Sequence, residues 1–291
     1  MNERIAKLRK ESFEAKPSIS IERALLLTEF YKAHSGRYST PVMRAMTFKH
    51  LCEHKTIYIG VEELLVGERG PAPKAVSTFP ELTCHTEPDL RILNNRSMTN
   101  FTISDADINM FSRDVLPYWK GRSMRDRVFS DVPEDWKNAY DAGMFTEFME
   151  QRAAGHTCLD GTIYRKGMHD FKKEIASSIA GLDYLNDPEA TEKLETFKAM
   201  NIACDAAILF AERHADLAEQ MSVDCDDLNR KAELQKIADV CRRVPANAPR
   251  NFWEALQMYW FVHLGTITEL NGWDAMNPGH LDQHLFPFYR A

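Results

Sequence analysis

Apolar and polar positions follow a helical rhythm over most of the chain. In ISIERALLLTEFYKAH, Ile21, Ala24, Leu25, Thr28 and Tyr31 fall on or near one face of a helix, and Ser20 stands where an N-cap is expected. PVMRAMTFKHLCEH predicts a second helix, with Pro41 in its first turn, where a missing N–H leaves no bond unmade. SDADINMFSRDVLPYW starts on Ser104 with Asp107 three residues on, a capping-box-like pair, and predicts a helix to about Pro117. Asp187, Pro188 and Glu189 form a helix entry, opening an amphipathic stretch from Glu189 to Gln220. Leu194, Phe197, Asn201, Cys204, Ile208, Ala211 and Ala215 lie near one of its stripes. A further helix fits Asp226 to Arg242. Asn251 and Glu254 can cap NFWEALQMYWFVHLGTIT, which is apolar nearly all round and so predicts a fully buried helix. Two regions break the rhythm. TIYIGVEELLVGERG, with β-branched residues, Gly60 and Gly67, predicts a short strand and turns, and the stretch from Gly70 to Pro88 predicts an ordered loop. The expected fold is mainly α.

Composition narrows the class. The 291 residues are 44% hydrophobic and 27% charged, enough for a sizeable core and unlike a disordered or disulfide-stapled chain. Length alone allows one large domain or two modest ones, and no linker, repeat or low-complexity run marks a boundary. The formal charge of −7 weighs against nucleic acid as a partner. No signal-peptide core and no run of apolar residues long enough for a bilayer occurs, so no membrane association and a cytoplasmic location are expected. The six cysteines form no CxxC pair, which predicts free thiols, with Cys204 a small core hydrophobe on the stripe of Ile208 and Ala211.

Phosphate-binding loops, dinucleotide fingerprints, zincin and serine-hydrolase motifs are absent. His280 and His284, with Asp282 between them, have a spacing that could grip a metal, but no third strong ligand accompanies them, and polar residues at a helix end are the simpler reading. Two segments carry more unusual chemistry. AGMFTEFMEQRAAGHTCLDGTIYRKG sets Phe145, Phe148 and Met149 among Glu147, Glu150 and Arg152, and then places His156 on a loop between Gly155 and Gly161. An imidazole there can approach a ligand closely, and a phenyl ring upstream can wall the pocket; a plain surface loop is the competing reading. In ITELNGWDAMNPGHLDQHLFPFY, an apolar helix leads Glu269, Asn271 and Asp274 into a Gly- and Pro-containing turn. A carboxyl beside Trp273 is desolvated, which raises its pKa and suits it to donate a proton near neutrality; a simple Asx turn competes with this.

These segments, together with ISIERALLLTEFY, EELLVGERG, FPELTCHT, LPYWKGRSMRDR and FWEALQMYWFVHLGTITELNGWDA, resemble the N-terminal part of glycyl radical enzymes of the pyruvate formate-lyase type, over the full chain. Within that family, MFTEFMEQRAAGHT, TIYRKG and TELNGWDA are similar to the branch that dehydrates hydroxyproline. The resemblance implies the helical N-terminal portion of an α/β barrel, with residues 1–291 a truncated part of a pyruvate formate-lyase domain. It implies a hydro-lyase reaction in which Phe148, His156 and Asp274 bind the substrate, His156 and Asp274 acting catalytically at the leaving hydroxyl. It implies no cofactor or metal in this chain, but a protein glycyl radical installed by an S-adenosylmethionine/iron–sulfur activating enzyme. The partners implied are that activating enzyme, a small hydroxyproline-like substrate, a C-terminal complement chain, and a second copy of the complete enzyme in a homodimer. Family members carry a Cys-x-Glu loop and an Arg-Val-x-Gly-Tyr glycyl site, and neither stands in this sequence, so the chain alone is expected to be inactive. The alternatives left open are a sister eliminase or lyase of the diol, choline or formate-lyase type, and a non-catalytic helical subunit or binding module.

Overall fold

A computed structural model describes residues 2–145, 158–270 and 279–291. The chain enters through α1 (Glu3–Glu14) and β1 (Ser18–Ser20), followed by α2 (Glu22–His34) and α3 (Thr40–His54). After a long irregular stretch, β2 (Ala75–Ser77) pairs in parallel with β1, Ile19 opposite Val76. A run of short helices follows: α4 (Glu87–Asn95), α5 (Asp105–Asp114), α6 (Leu116–Trp119), α7 (Met124–Asp131) and α8 (Glu134–Asp141). A 3-10 turn over Asp160–Tyr164 leads to α9 (Met168–Ala180), α10 (Ala190–Val223), α11 (Leu228–Arg243), α12 (Phe252–Glu269) and α13 (Leu281–Arg290). The mainly α expectation holds.

The 34-residue α10 is the spine, about 51 Å long at 1.5 Å per residue. Its buried stripe is built from small residues, Ala206, Ala211, Ala215 and Ala218, which let α3 and α11 approach closely and bury Phe48, Leu234, Ile237 and Leu264 around them. A second core packs β1, α2, α4 and α5 around Ala24, Leu90, Ile108 and Phe111. A third joins α9 to the outer faces of α10 and α12 through Ile163, Ile175, Val240 and Met258.

Several expectations need correction. Ser20 is not the N-cap of α2: it lies in β1, and the helix starts two residues later with Ile21 at the cap, although Ser20 Oγ still accepts from Glu22 N–H at 3.4 Å. The buried face of α2 also takes in Arg23, Leu27 and Phe30, which the single stripe left out. The helix from Ser104 stops at Asp114, and a separate turn carries Pro117, whose ring cannot sit inside a continuous helix.

The segment from Thr56 to Gly70 forms no strand. Its apolar residues Ile59 and Val66 are buried, but its backbone is satisfied by side chains of other helices instead of by a ladder. Arg230 donates to the carbonyls of Gly60 and Glu63 at 3.0 and 2.8 Å, and Lys55 to those of Glu68 and Arg69 at 3.2 and 3.0 Å. Trp253 donates to Leu64 at 2.9 Å and Trp260 to Gly67 at 2.8 Å, while Gln257 both donates to the Val66 carbonyl and accepts from its N–H, each at 2.9 Å.

Gly67 is obligatory there. Its φ is +123°, and a Cβ would stand 2.4 Å from Leu264 Cδ1. The loop expected between Gly70 and Pro88 contains β2, whose partner lies more than fifty residues upstream and leaves no local signal.

Finally, α12 is not buried on every side. Ala255, Met258 and Leu264 are fully covered, whereas Phe252 is 38% exposed and Leu256, Tyr259 and His263 are half-buried along the outer face. Among the described residues no helix is long and apolar enough to cross a membrane.

Candidate functional site

Local chemistry fixes both ends of α12. At the start, Asn251 Oδ1 accepts from Glu254 N–H at 3.0 Å. The carboxylate of Glu254, 1% exposed, accepts from Arg250 N–H and guanidinium, both at 2.7 Å. Burial opposes ionisation of Glu254, but the bonds from Arg250 outweigh it and leave the carboxyl below its ordinary range.

At the far end two arginines from other helices meet the negative pole of α12. Arg23, almost fully buried and stacked 3.9 Å over Phe79, donates to the carbonyls of Thr268 at 2.7 Å and Glu269 at 3.5 Å, and pairs with Glu81 at 2.5 Å. Arg44 of α3 holds Glu269 Oε1 at 2.6 Å. The point where the chain leaves for residues 271–278 is therefore pinned by charge as well as by packing.

Beside that end lies a cavity of about 580 Å³ between α9, α10 and α12. Its walls are chiefly apolar, with Phe171, Ile175, Phe197, Met200 and Val262 prominent, and its polar groups are few: Cys158, Ser178, Glu174, Thr266 and Glu269. That mixture is typical of a small-molecule pocket. Thr266 Oγ1 donates to the Val262 carbonyl at 2.9 Å and sits 3.3 Å from Cys158 Sγ. Burial pushes the Glu269 carboxyl above its ordinary range against the pull of Arg44, and its Oε2 has no hydrogen-bond partner among the described residues.

Phe148, His156 and Asp274 lie outside the described residues. What the structure brings together is the chain on which they are mounted. Cys158 directly follows residues 146–157 and lines the cavity, and Glu269 and Leu270, which line it too, directly precede residues 271–278. Gly161, one of the two glycines flanking the His156 loop, lies under His284: a Cβ there would stand 2.9 Å from the imidazole Nε2. His284 is engaged by Asp160 at 3.5 Å and by the Gly279 carbonyl, 3.2 Å from Nδ1, so it behaves as a helix-end polar residue. Phe145 packs against Trp136 and Tyr140, with ring centroids 4.8 and 6.1 Å away.

Arg23 and Arg44 were missed by the sequence reading. A signal for Arg23 existed, since it interrupts an apolar helix between Ile21 and Ala24, where an arginine is tolerated only if fully bonded. The six cysteines are free, as expected. Burial raises the Cys52 and Cys241 thiols to about 12 and Cys204 to about 11. These three are core thiols on helices, held protonated by their apolar surroundings.

A helical body with a mostly apolar pocket beside a doubly pinned helix end suits the binding of a small molecule, and comparison with known proteins gives the family. The whole chain, residues 1–291, matches the pyruvate formate lyase-like family and belongs to it. It is 48% identical over 287 residues to the trans-4-hydroxy-L-proline dehydratase of Clostridioides difficile, covering 99% of this chain and 36% of that protein. It is 35% identical to the isethionate sulfite-lyase of Oleidesulfovibrio alaskensis, covering 96% of this chain and 35% of that protein. The crystal structure of the Clostridioides difficile hydroxyproline dehydratase with trans-4-hydroxy-L-proline bound superposes with a TM-score of 0.95, covering 100% of this chain and 37% of that one. The chain thus spans little more than a third of the length of these relatives, and its fold is that of their helical part.

Proposed function

We propose that this chain forms the helical wall of the substrate pocket in a glycyl radical hydro-lyase that removes water from hydroxyproline to give pyrroline-5-carboxylate. The observation that carries this reading is the 48% identity to a hydroxyproline dehydratase along 99% of the chain. A cavity lined by Cys158, Glu269 and Leu270, which adjoin the two motif-bearing segments in sequence, supports it. In this reading residues 1–291 are the N-terminal part of a pyruvate formate-lyase domain, and an S-adenosylmethionine/iron–sulfur activating enzyme and a homodimeric complete enzyme follow as partners.

Hydrogen-atom removal from the ring carbon beside the C4 hydroxyl needs a thiol and a glycyl radical for which this chain has no fitting residues, so no step is assigned to it here. What its own residues supply is the polar half of the elimination. Loss of the hydroxyl as water requires a proton at the leaving oxygen. Asp274, set beside Trp273, is the acid in this reading, with His156 as its hydrogen-bonding partner, while Phe148 offers area and shape without proton transfer.

The test uses the polypeptide that carries these residues together with the Cys-x-Glu and glycyl segments, activated anaerobically. Asp274→Asn and His156→Ala are each expected to lower pyrroline-5-carboxylate formation by about 100-fold or more while the glycyl radical signal in electron paramagnetic resonance persists. Phe148→Ala is expected to raise KM or alter selectivity. Unchanged turnover in the first two variants overturns the site assignment, and turnover of a diol or choline in place of hydroxyproline overturns the substrate.

A further inference from the structure

On the surface of α3, remote in sequence from both motif segments, three side chains converge that the proposed reaction does not use. His50, Glu53 and His54 each offer a ligand atom, and these atoms lie within 4.8 Å of one another. The cause is helical spacing: residues three and four apart share a face, so an i, i+4 histidine pair and an intervening carboxylate point to one side. The two imidazole rings lie 4.2 Å apart by centroid, and His50 is braced from behind by Phe30 at 5.1 Å.

The hydrogen bonding suits ligation. His54 Nδ1 lies 2.9 Å from the His50 carbonyl oxygen, to which it can only donate, so the proton is held on Nδ1 and Nε2 keeps a free lone pair. A ring N–H bonded to a backbone carbonyl is the usual outer partner of a metal-bound histidine. His50 Nε2 is buried and has no hydrogen-bond partner among the described residues, so that nitrogen is not committed to another side chain. Glu53 Oε1 accepts from Lys49 at 2.5 Å, an interaction that competes with ligation.

We propose that His50, Glu53 and His54 form a binding site for a divalent late first-row transition metal, with Zn²⁺ the natural occupant. Two imidazoles and a carboxylate favour such ions over Mg²⁺ or Ca²⁺, which prefer all-oxygen shells. Bond lengths of about 2.0–2.2 Å to each ligand are reachable by rotamer adjustment of the exposed His54 and the half-buried Glu53, and a fourth position stays open to water. Bound metal would clamp the last two turns of α3, the helix that Arg44 ties to Glu269.

The experiment is a titration of the metal-stripped 291-residue chain with Zn²⁺ by calorimetry and with Co²⁺ by absorption. The expected result is one saturable equivalent with ligand-field bands of nitrogen and oxygen donors. His54→Ala, at an exposed position where the fold is not at stake, should weaken it at least about tenfold, the size of loss seen even for an outer partner. Glu53→Gln should weaken it less, Lys49→Gln should tighten it by freeing the carboxylate, and His284→Ala should leave it unchanged. Equal affinity in the wild type and His54→Ala overturns the proposal, as does Co²⁺ binding only with thiolate charge-transfer bands.

Discussion

Over its first three turns α12 directs Trp253, Gln257 and Trp260 at the backbone of residues 64–67, and each of those polar side chains has a partner. Its last turn is different: Thr266 and Glu269 face a cavity, and Glu269 keeps one oxygen unbonded in a setting that disfavours its charge. The first end resembles an optimised protein interior. The second keeps polar capacity in reserve, which lowers stability locally and is what a ligand-binding surface requires. The contrast predicts that substitutions at the first end act on folding, and that those of the cavity-facing Thr266 and Glu269 side chains leave folding nearly untouched.

The largest effect is expected from Gln257→Leu, which strands both the N–H and the carbonyl of Val66 in the core. At about 1–3 kcal/mol for each orphaned group, the loss should reach about 4 kcal/mol in urea denaturation followed by circular dichroism. A loss below about 1 kcal/mol would show that the 64–67 loop is not held as described.

Acid should act next. His214, 1% exposed on α10 and edge-on to Phe261, has its pKa lowered to about 4 by burial, with Nδ1 bonded to the Phe210 carbonyl at 2.7 Å. Between pH 6.5 and 4 the unfolded chain binds the proton that the native chain refuses, so stability falls as pH drops through that window and is unaffected by this group above it. The total is on the order of 3 kcal/mol, and His214→Leu should flatten the profile there. Trp260→Phe, which removes the bond to Gly67 and part of the indole's packing, should cost about 1–2 kcal/mol.

The smallest effect is expected from Glu269→Gln. Its partner Arg44 is 53% exposed and its second oxygen is already unbonded, so stability should change by less than about 1 kcal/mol. A loss as large as that of Gln257→Leu would erase the distinction between the two ends of the helix.

Helix positions were legible because each is specified locally. The caps at Ser104 and Asn251 and the first-turn Pro41 stand where the spacing places them, and Asp227, one residue beyond the expected start, caps α11. The stripe read along α10 was right only in part: Cys204, Ala211 and Ala215 are buried and Leu194, Phe197, Asn201 and Ile208 only half so, while the buried Ala206, Phe210 and Ala218 were not on it. The candidate site was legible only in part: the sequence marks Glu269 and the two glycine-flanked segments, but not the arginines that fix the end of α12.

Amino-acid order alone determined the mainly helical architecture and the family, because propensity, capping and motif identity are properties of neighbouring residues. Tertiary structure decided that Thr56 to Gly70 would be a loop bonded by Arg230, Trp253, Gln257 and Trp260 instead of a strand, and that Ser20 would enter a two-stranded sheet with a partner past residue 70. It also decided that Cys158 and Glu269 would face one cavity. None of these has a local signal, because each depends on which backbone groups are left without a partner once the helices have packed, and that is known only when residues more than fifty positions apart have met.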